Sequence, residues 1–198
     1  MDVYGAITKR RTIRRFQDRP VPYDVLEKCV NGGRLAPSGR NHQLCEYIII
    51  DDKQLLPRIF DNVSVWGVLE DPKESPTPAR APKAYIIILI NNVLEAELGA
   101  PRRITTCDVG FAAENIILVA LEQGLGACPA LMFKAEKLKQ ILKIPDSRDI
   151  ALVIAMGYPD ESPVTEVSTG PVKLWVDDKG VRHVPKRKLE DILHRNQF

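Results

Sequence analysis

Apolar residues along this chain recur at two spacings, one near four residues and one tight or continuous, and segments of the two kinds alternate. Over residues 22–35 the apolar positions are Val25, Leu26, Cys29 and Val30. That is a helical spacing, with Pro22 suited to a first turn and Gly32-Gly33 weakening the end. Residues 2–9 read as a short helix capped by Asp2, with Val3 and Ile7 on one face. The longest predicted helix covers residues 105–123. Val109, Ala113, Ile116, Ile117 and Ala120 form one stripe of it, while Phe111, Leu118 and Leu121 lie elsewhere on its circumference. Its middle should therefore be buried, with Gly124 as the residue that ends it. Strands are expected over 46–50, 84–90, 127–133 and 150–155, the Ile-rich second of these being the clearest buried one. Shorter helices are expected over 53–60, 135–142 and 189–194. Residues 61–82, with Trp66 and four prolines from Pro72 to Pro82, read as a loop or lid, and 162–175 as irregular.

Composition adds bounds. With 198 residues, 44% apolar and 27% charged, the chain fits one compact domain over 1–198 with a proper core. A formal net charge of +2 gives no ground for a nucleic-acid partner. Cys29, Cys45, Cys107 and Cys128 are too far apart for a CxxC pair or zinc knuckle and read mostly as small core residues. His42, His183 and His194 show no metal-ligand spacing. The start, with Asp2 and no apolar core before Lys9, is not a secretory signal. The longest strongly apolar stretch, 84–90, is short of a bilayer span. A reduced, cytoplasmic protein without a membrane partner is the expectation. Gly124-Leu-Gly126 follows a helix and meets Pro129, so it is not a dinucleotide loop, and no G-x-S-x-G marks a hydrolase.

Three polar clusters remain as candidates. Residues 10–16, Arg-Arg-Thr-Ile-Arg-Arg-Phe, place four arginines at a helix exit. They can complement the carbonyl end of the helix dipole, or, with the Thr12 hydroxyl, hold a phosphate through planar guanidiniums. Residues 36–43 offer Ser38, Asn41 and Gln43 as neutral hydrogen-bonding groups on a turn shaped by Pro37 and Gly39. Lys186-Arg187-Lys188 is a solvated basic turn or a second phosphate clamp. Asp108 on the long helix reads as a cap or salt-bridge partner in preference to a catalytic group.

Taken in order, these pieces resemble the nitroreductase family of FMN-dependent flavoproteins. Arg10-Arg11-Thr12 with Arg14 looks like the family's Arg-Arg-Ser-x-Arg signature, and Pro37-Ser38 with Asn41 and Gln43 is similar to its Pro-Ser-x-x-Asn-x-Gln loop. Asp108-Val-Gly-Phe-Ala-Ala-Glu-Asn115, Gly124-Leu-Gly126, Met156-Gly157-Tyr158-Pro159 and Lys186-Arg187-Lys188 follow in the family's order. Leu44-Cys45 departs from the usual Pro-Trp, and Thr12 from Ser.

The resemblance implies an α+β fold with a central mixed or antiparallel sheet between helices, in three layers, and a homodimer with the FMN site shared between subunits. It implies a C-terminal tail, 162–198, that wraps the partner, and a dimer contact made largely by the long helix. Arg10, Arg11, Thr12, Lys186 and Arg187 would hold the FMN phosphate. Arg14 would lie at the N1/O2 edge of the isoalloxazine. Pro37, Ser38, Gly39, Asn41 and Gln43 would approach from the partner or the rim, with Met156 and Gly157 also at the cofactor. The implied reaction is ping-pong transfer of hydride from NADH or NADPH to an electron-poor acceptor, nitroaromatic or quinone-like. A non-catalytic flavin-binding or sensing protein, reductive dehalogenation and dehydrogenation are the alternatives.

Overall fold

The structure is a computed structural model that describes residues 2–63 and 76–198. Of the expected lid over 61–82, the stretch 64–75 with Trp66 and Pro72 lies outside the described residues. The chain divides into two compact units, 1–160 and 161–198, each described by itself.

The first unit is built on a four-stranded sheet of β1 (Cys45–Ile50), β2 (Ala84–Asn91), β3 (Gly126–Ala130) and β4 (Arg148–Gly157), in the order β1-β2-β4-β3. Every pairing is antiparallel, with a register shift between Ile88 and Leu89 where β2 meets β4. Side chains alternate across a strand, and β2 divides its apolar residues accordingly. Ile86, Ile88 and Ile90 enter one core with α2 (Tyr23–Arg34) and α5 (Arg102–Glu122). Tyr85, Ile87 and Leu89 enter a second core with α3 (Leu55–Phe60) and α6 (Ala135–Leu142). The result is helix, sheet, helix: three layers, α+β, as expected.

The helix ends follow their caps. In α1 (Val3–Lys9) the Gly5 N–H donates to Asp2 Oδ1 at 2.6 Å. A short α4 (Asn92–Glu97), absent from the sequence reading, is nucleated when Asn91 Oδ1 accepts from the Leu94 N–H at 3.0 Å. Gly124 ends α5 with φ +76°, the left-handed conformation that a glycine adopts without strain.

In α2, Gly32 and Gly33 fall in the last turn, as expected, and have a further role. They lie inside the helix and let it approach α5: a Cβ on Gly33 would stand 2.8 Å from Ile116 Cγ1, and one on Gly32 2.8 Å from Val119 Cγ2. The helix α5 is buried through its middle, as expected; it is the one described helix long and apolar enough to cross a bilayer, and 44% of that window is buried within the fold.

In the second unit, β5 (Val164–Ser168) pairs parallel with β7 (Arg182–Arg187), which pairs antiparallel with β6 (Trp175–Val176). The stretch read as irregular thus contains strands. Trp175 stacks on His183 at 3.8 Å, and Glu166 joins both, accepting from Trp175 Nε1 at 2.8 Å and lying 3.1 Å from His183 Nδ1. The helix expected at 189–194 is a single 3-10 turn, Leu189–Asp191.

Candidate functional site

The arginine segment is a strap along the open edge of β3. Thr12 bridges Ala127 in parallel, the Ile13 N–H donates to Ala127 O at 3.0 Å, and Phe16 bridges Pro159. Two glycines seat it. A Cβ on Gly126 would fall 2.6 Å from Ile13, and one on Gly157 2.9 Å from Phe16. Met156 is fully buried in the core, its carbonyl accepting from the Lys83 N–H at 2.9 Å. Gly157 therefore stands under the strap, while Met156 belongs to the core beside it in sequence.

Three of its four arginines differ in their surroundings. Arg11 donates to Thr8 O at 2.8 Å and to Arg10 O, and so caps α1 in the manner of an ordinary basic last turn. Burial, and then the charge of Arg10, lower the Arg11 pKa. Arg10 pairs with Glu114 of α5 at 3.2 Å and remains one-third exposed. Arg14 is buried.

The 37–43 loop is a closed ring. The Asn41 N–H donates to Ser38 O at 2.9 Å, the His42 N–H to Gly39 O at 3.0 Å, and the Gln43 N–H to Ser38 Oγ at 3.1 Å. Gln43 Nε2 reaches Asn41 O at 3.4 Å. Inside it Arg40, Asn41 and Gln43 have φ of 50°, 59° and 53°. Left-handed conformations cost a residue with a Cβ about 1 kcal/mol or more each, and such strain gathers at functional sites.

Asp108 ties this ring to α5, both carboxylate oxygens accepting from the Gly39 N–H at 3.1 Å. The expectation of a cap or salt bridge is corrected to a backbone tether. A signal was present in the sequence: Asp108 falls on the same buried face as Thr105, Val109, Ala112 and Ile116, so its carboxylate had to meet a donor inside the protein. Glu114, the partner of Arg10, carried no such signal.

Two recesses flank the loop. One of about 120 Å³ is lined by Ser38, Gln43, Leu44, Cys45, Tyr47 and Asp108 among others, and one of about 360 Å³ by Pro37, Ser38, Gly39, Cys107, Asp108 and Phe111 among others. Burial, with Asp108 adding to it, pushes the Cys45 thiol up to about 11, so it is not a nucleophile near neutrality. Leu44 is buried. Neither recess includes Arg10, Arg11, Thr12 or Arg14. The strap meets α5 at Glu114 and the loop meets it at Asp108, about 9 Å apart along the axis and about 120° apart around it. One chain does not bring the two together. Lys186 and Arg187 are exposed on β7 in the second unit, where Arg187 donates to Asp191 O at 2.9 Å.

The family described as "Nitroreductase family" matches residues 7–158. A protein of Methanothermobacter thermautotrophicus, provisionally named NADH dehydrogenase/NAD(P)H nitroreductase, is 28% identical over 89% of this chain and 87% of its own. An iodotyrosine deiodinase of Haliscomenobacter hydrossis is 24% identical over 81% of this chain and 80% of its own. Among solved structures, an FMN-dependent nitroreductase from Clostridium difficile R20291 shares the fold, with a TM-score of 0.68 and 23% identity over 99% of this chain and 100% of its own.

Proposed function

The chain belongs to the nitroreductase family, and on that premise we propose that it is an FMN-dependent oxidoreductase, taking hydride from NADH or NADPH and reducing an electron-poor small molecule such as a nitroaromatic or quinone. The observation that carries this reading is the strap. It places Arg10, Arg11 and Thr12 in succession on an edge pinned by Ile13 and Phe16, with Arg10 partly exposed beside Glu114. A phosphate dianion suits planar guanidiniums next to a hydroxyl, and riboflavin has no group to offer them.

Bound FMN supplies the redox chemistry, its isoalloxazine passing reducing equivalents between the two substrates. The protein binds and orients. Arg10, Arg11 and Thr12 take the phosphate. Arg14, buried deeper in the strap, tunes the charge at the isoalloxazine edge. Pro37, Ser38, Gly39, Asn41 and Gln43 present amides to the ring or ribityl chain. Since strap and loop occupy separate sides of α5, the complete site is assigned to a homodimer in which the loop comes from the partner. Supporting this are apolar side chains left exposed at Tyr4, Phe111, Leu131 and Met132. All four cysteines are free, which suits a reducing compartment such as the cytoplasm.

The test is anaerobic mixing of FMN-loaded protein with NADH or NADPH while flavin absorbance is followed. Bleaching, then recovery on adding a nitroaromatic or quinone, is expected. Flavin that stays oxidised with both nicotinamides would leave a storage protein. Arg10→Ala should weaken FMN roughly 10- to 100-fold, the effect of losing a charge-assisted hydrogen bond, and leave riboflavin unchanged. Equal losses for both would overturn the phosphate assignment. The deiodinase relative supports reductive dehalogenation as a second reading, tested by offering a halogenated phenol as acceptor.

A further inference from the structure

Asp108 is buried on the packed face of α5, at a position where an apolar residue would sit at less expense. A carboxylate can accept about four hydrogen bonds, yet among the described residues both of its oxygens meet one donor, the Gly39 N–H, at 3.1 Å. That N–H opens the 3-10 turn Gly39–Asn41, in which Arg40 and Asn41 are left-handed, with Gln43 left-handed just beyond. Gly39 is matched to this contact from its own side. A Cβ there would stand 2.3 Å from Ile104 Cγ2, so only glycine lets the backbone come down to the carboxylate.

We propose that Asp108 is a positioning residue for the cofactor: by tethering Gly39 it holds the 38–43 loop in its strained form and so fixes where the amides of Asn41 and Gln43 point. This rests on the assignment of FMN to the loop. Without the tether, Arg40, Asn41 and Gln43 are free to return to right-handed or extended backbone, which moves both amide side chains. Asp108 itself touches no ligand in this account. Its influence passes through one backbone hydrogen bond.

The experiment compares wild type with Asp108→Ala, Asp108→Asn and Gly39→Ala, using two readouts. Amide exchange at Gly39 and its neighbours, followed by NMR without flavin, reads the tether. Titration with FMN and with riboflavin reads the positioning. Asp108→Ala and Gly39→Ala are expected to speed exchange at residue 39 and to weaken both flavins about tenfold, the scale of one lost hydrogen bond. Asp108→Asn keeps an amide oxygen for the Gly39 N–H and should recover wild-type binding to within about threefold. Gly39→Ala leaves the carboxylate in place, so the question stays answerable if Asp108→Ala does not fold. Fast exchange without loss of flavin affinity would overturn the positioning role, as would a failure of Asp108→Asn to recover binding. A wild-type chain that binds neither flavin would instead overturn the cofactor assignment, a different signature from tight wild-type binding that Asp108→Ala leaves untouched.

Discussion

Cys29 has no solvent-exposed surface, and burial pushes its thiol from 9.0 to about 11. Cys45 is raised to about 11 in the same way. A group with a higher pKa folded than unfolded binds its proton more tightly in the native state. Its contribution is therefore intact below pH 9, where both states are protonated, and is lost as pH rises through 11. Burial raises Tyr47 and Tyr85 as well, and they act in the same direction above pH 10. The melting temperature is expected to fall between pH 9 and 11. Cys29→Ala should melt lower at pH 7, from lost packing, yet show a shallower decline over that interval; parallel curves would show that Cys29 does not titrate there. Residue chemistry was partly legible in advance. A thiol at a periodic apolar position reads as core, as Cys29 is, and arginines at a helix exit read as caps or an anion site, the first of which Arg11 illustrates. The partners were not legible, because Gly39 for Asp108 and Glu114 for Arg10 are neighbours only after α5 packs.

At the scale of elements, the contact between α2 and α5 runs through two glycines. Gly33→Ala would bring a Cβ within 2.8 Å of Ile116 Cγ1 and 3.3 Å of the Ala112 carbonyl, neither a yielding neighbour since Ile116 is fully buried. Overpacking costs about 1–3 kcal/mol, and better helix propensity returns up to about 1 kcal/mol. A net loss of about 1–2 kcal/mol should lower the melting temperature by roughly 2–8 °C. An unchanged or higher value in a thermal scan would mean that propensity wins and the helices can separate slightly. The same pair shows where a sequence reading stops. Local propensity marks glycine as weak, and only the docked partner helix turns it into a close approach. Period and run length sufficed for α2, α5 and β2, which are long or continuous. They missed α4, six residues long, and β5, whose parallel partner β7 is remote in sequence.

For the whole molecule, the proposed division of the site between strap and loop would tie flavin binding to association of two chains. FMN at a hundredfold excess over its dissociation constant should stabilise the protein by about 2.7 kcal/mol and raise the melting temperature by roughly 5–11 °C. It should also suppress dissociation of the dimer in sedimentation runs. A monomer that keeps stoichiometric FMN at low micromolar concentration would rule out the shared site. The glycine-seated strap bears on something else, the order of events during synthesis. Arg10 to Phe16 are made more than a hundred residues before what they rest on: Gly126 and Ala127 in β3, then Gly157 at the end of β4 and Pro159 beyond it. Contacts so distant along the chain close only after the intervening sheet exists. The basic segment is thus made well before it can dock, and a nascent chain halted before β4 carries its arginines with nowhere to seat them. On the proposed assignment, flavin capture through the strap would belong to the chain in which both strands are in place, so loading with cofactor would report that the sheet has closed.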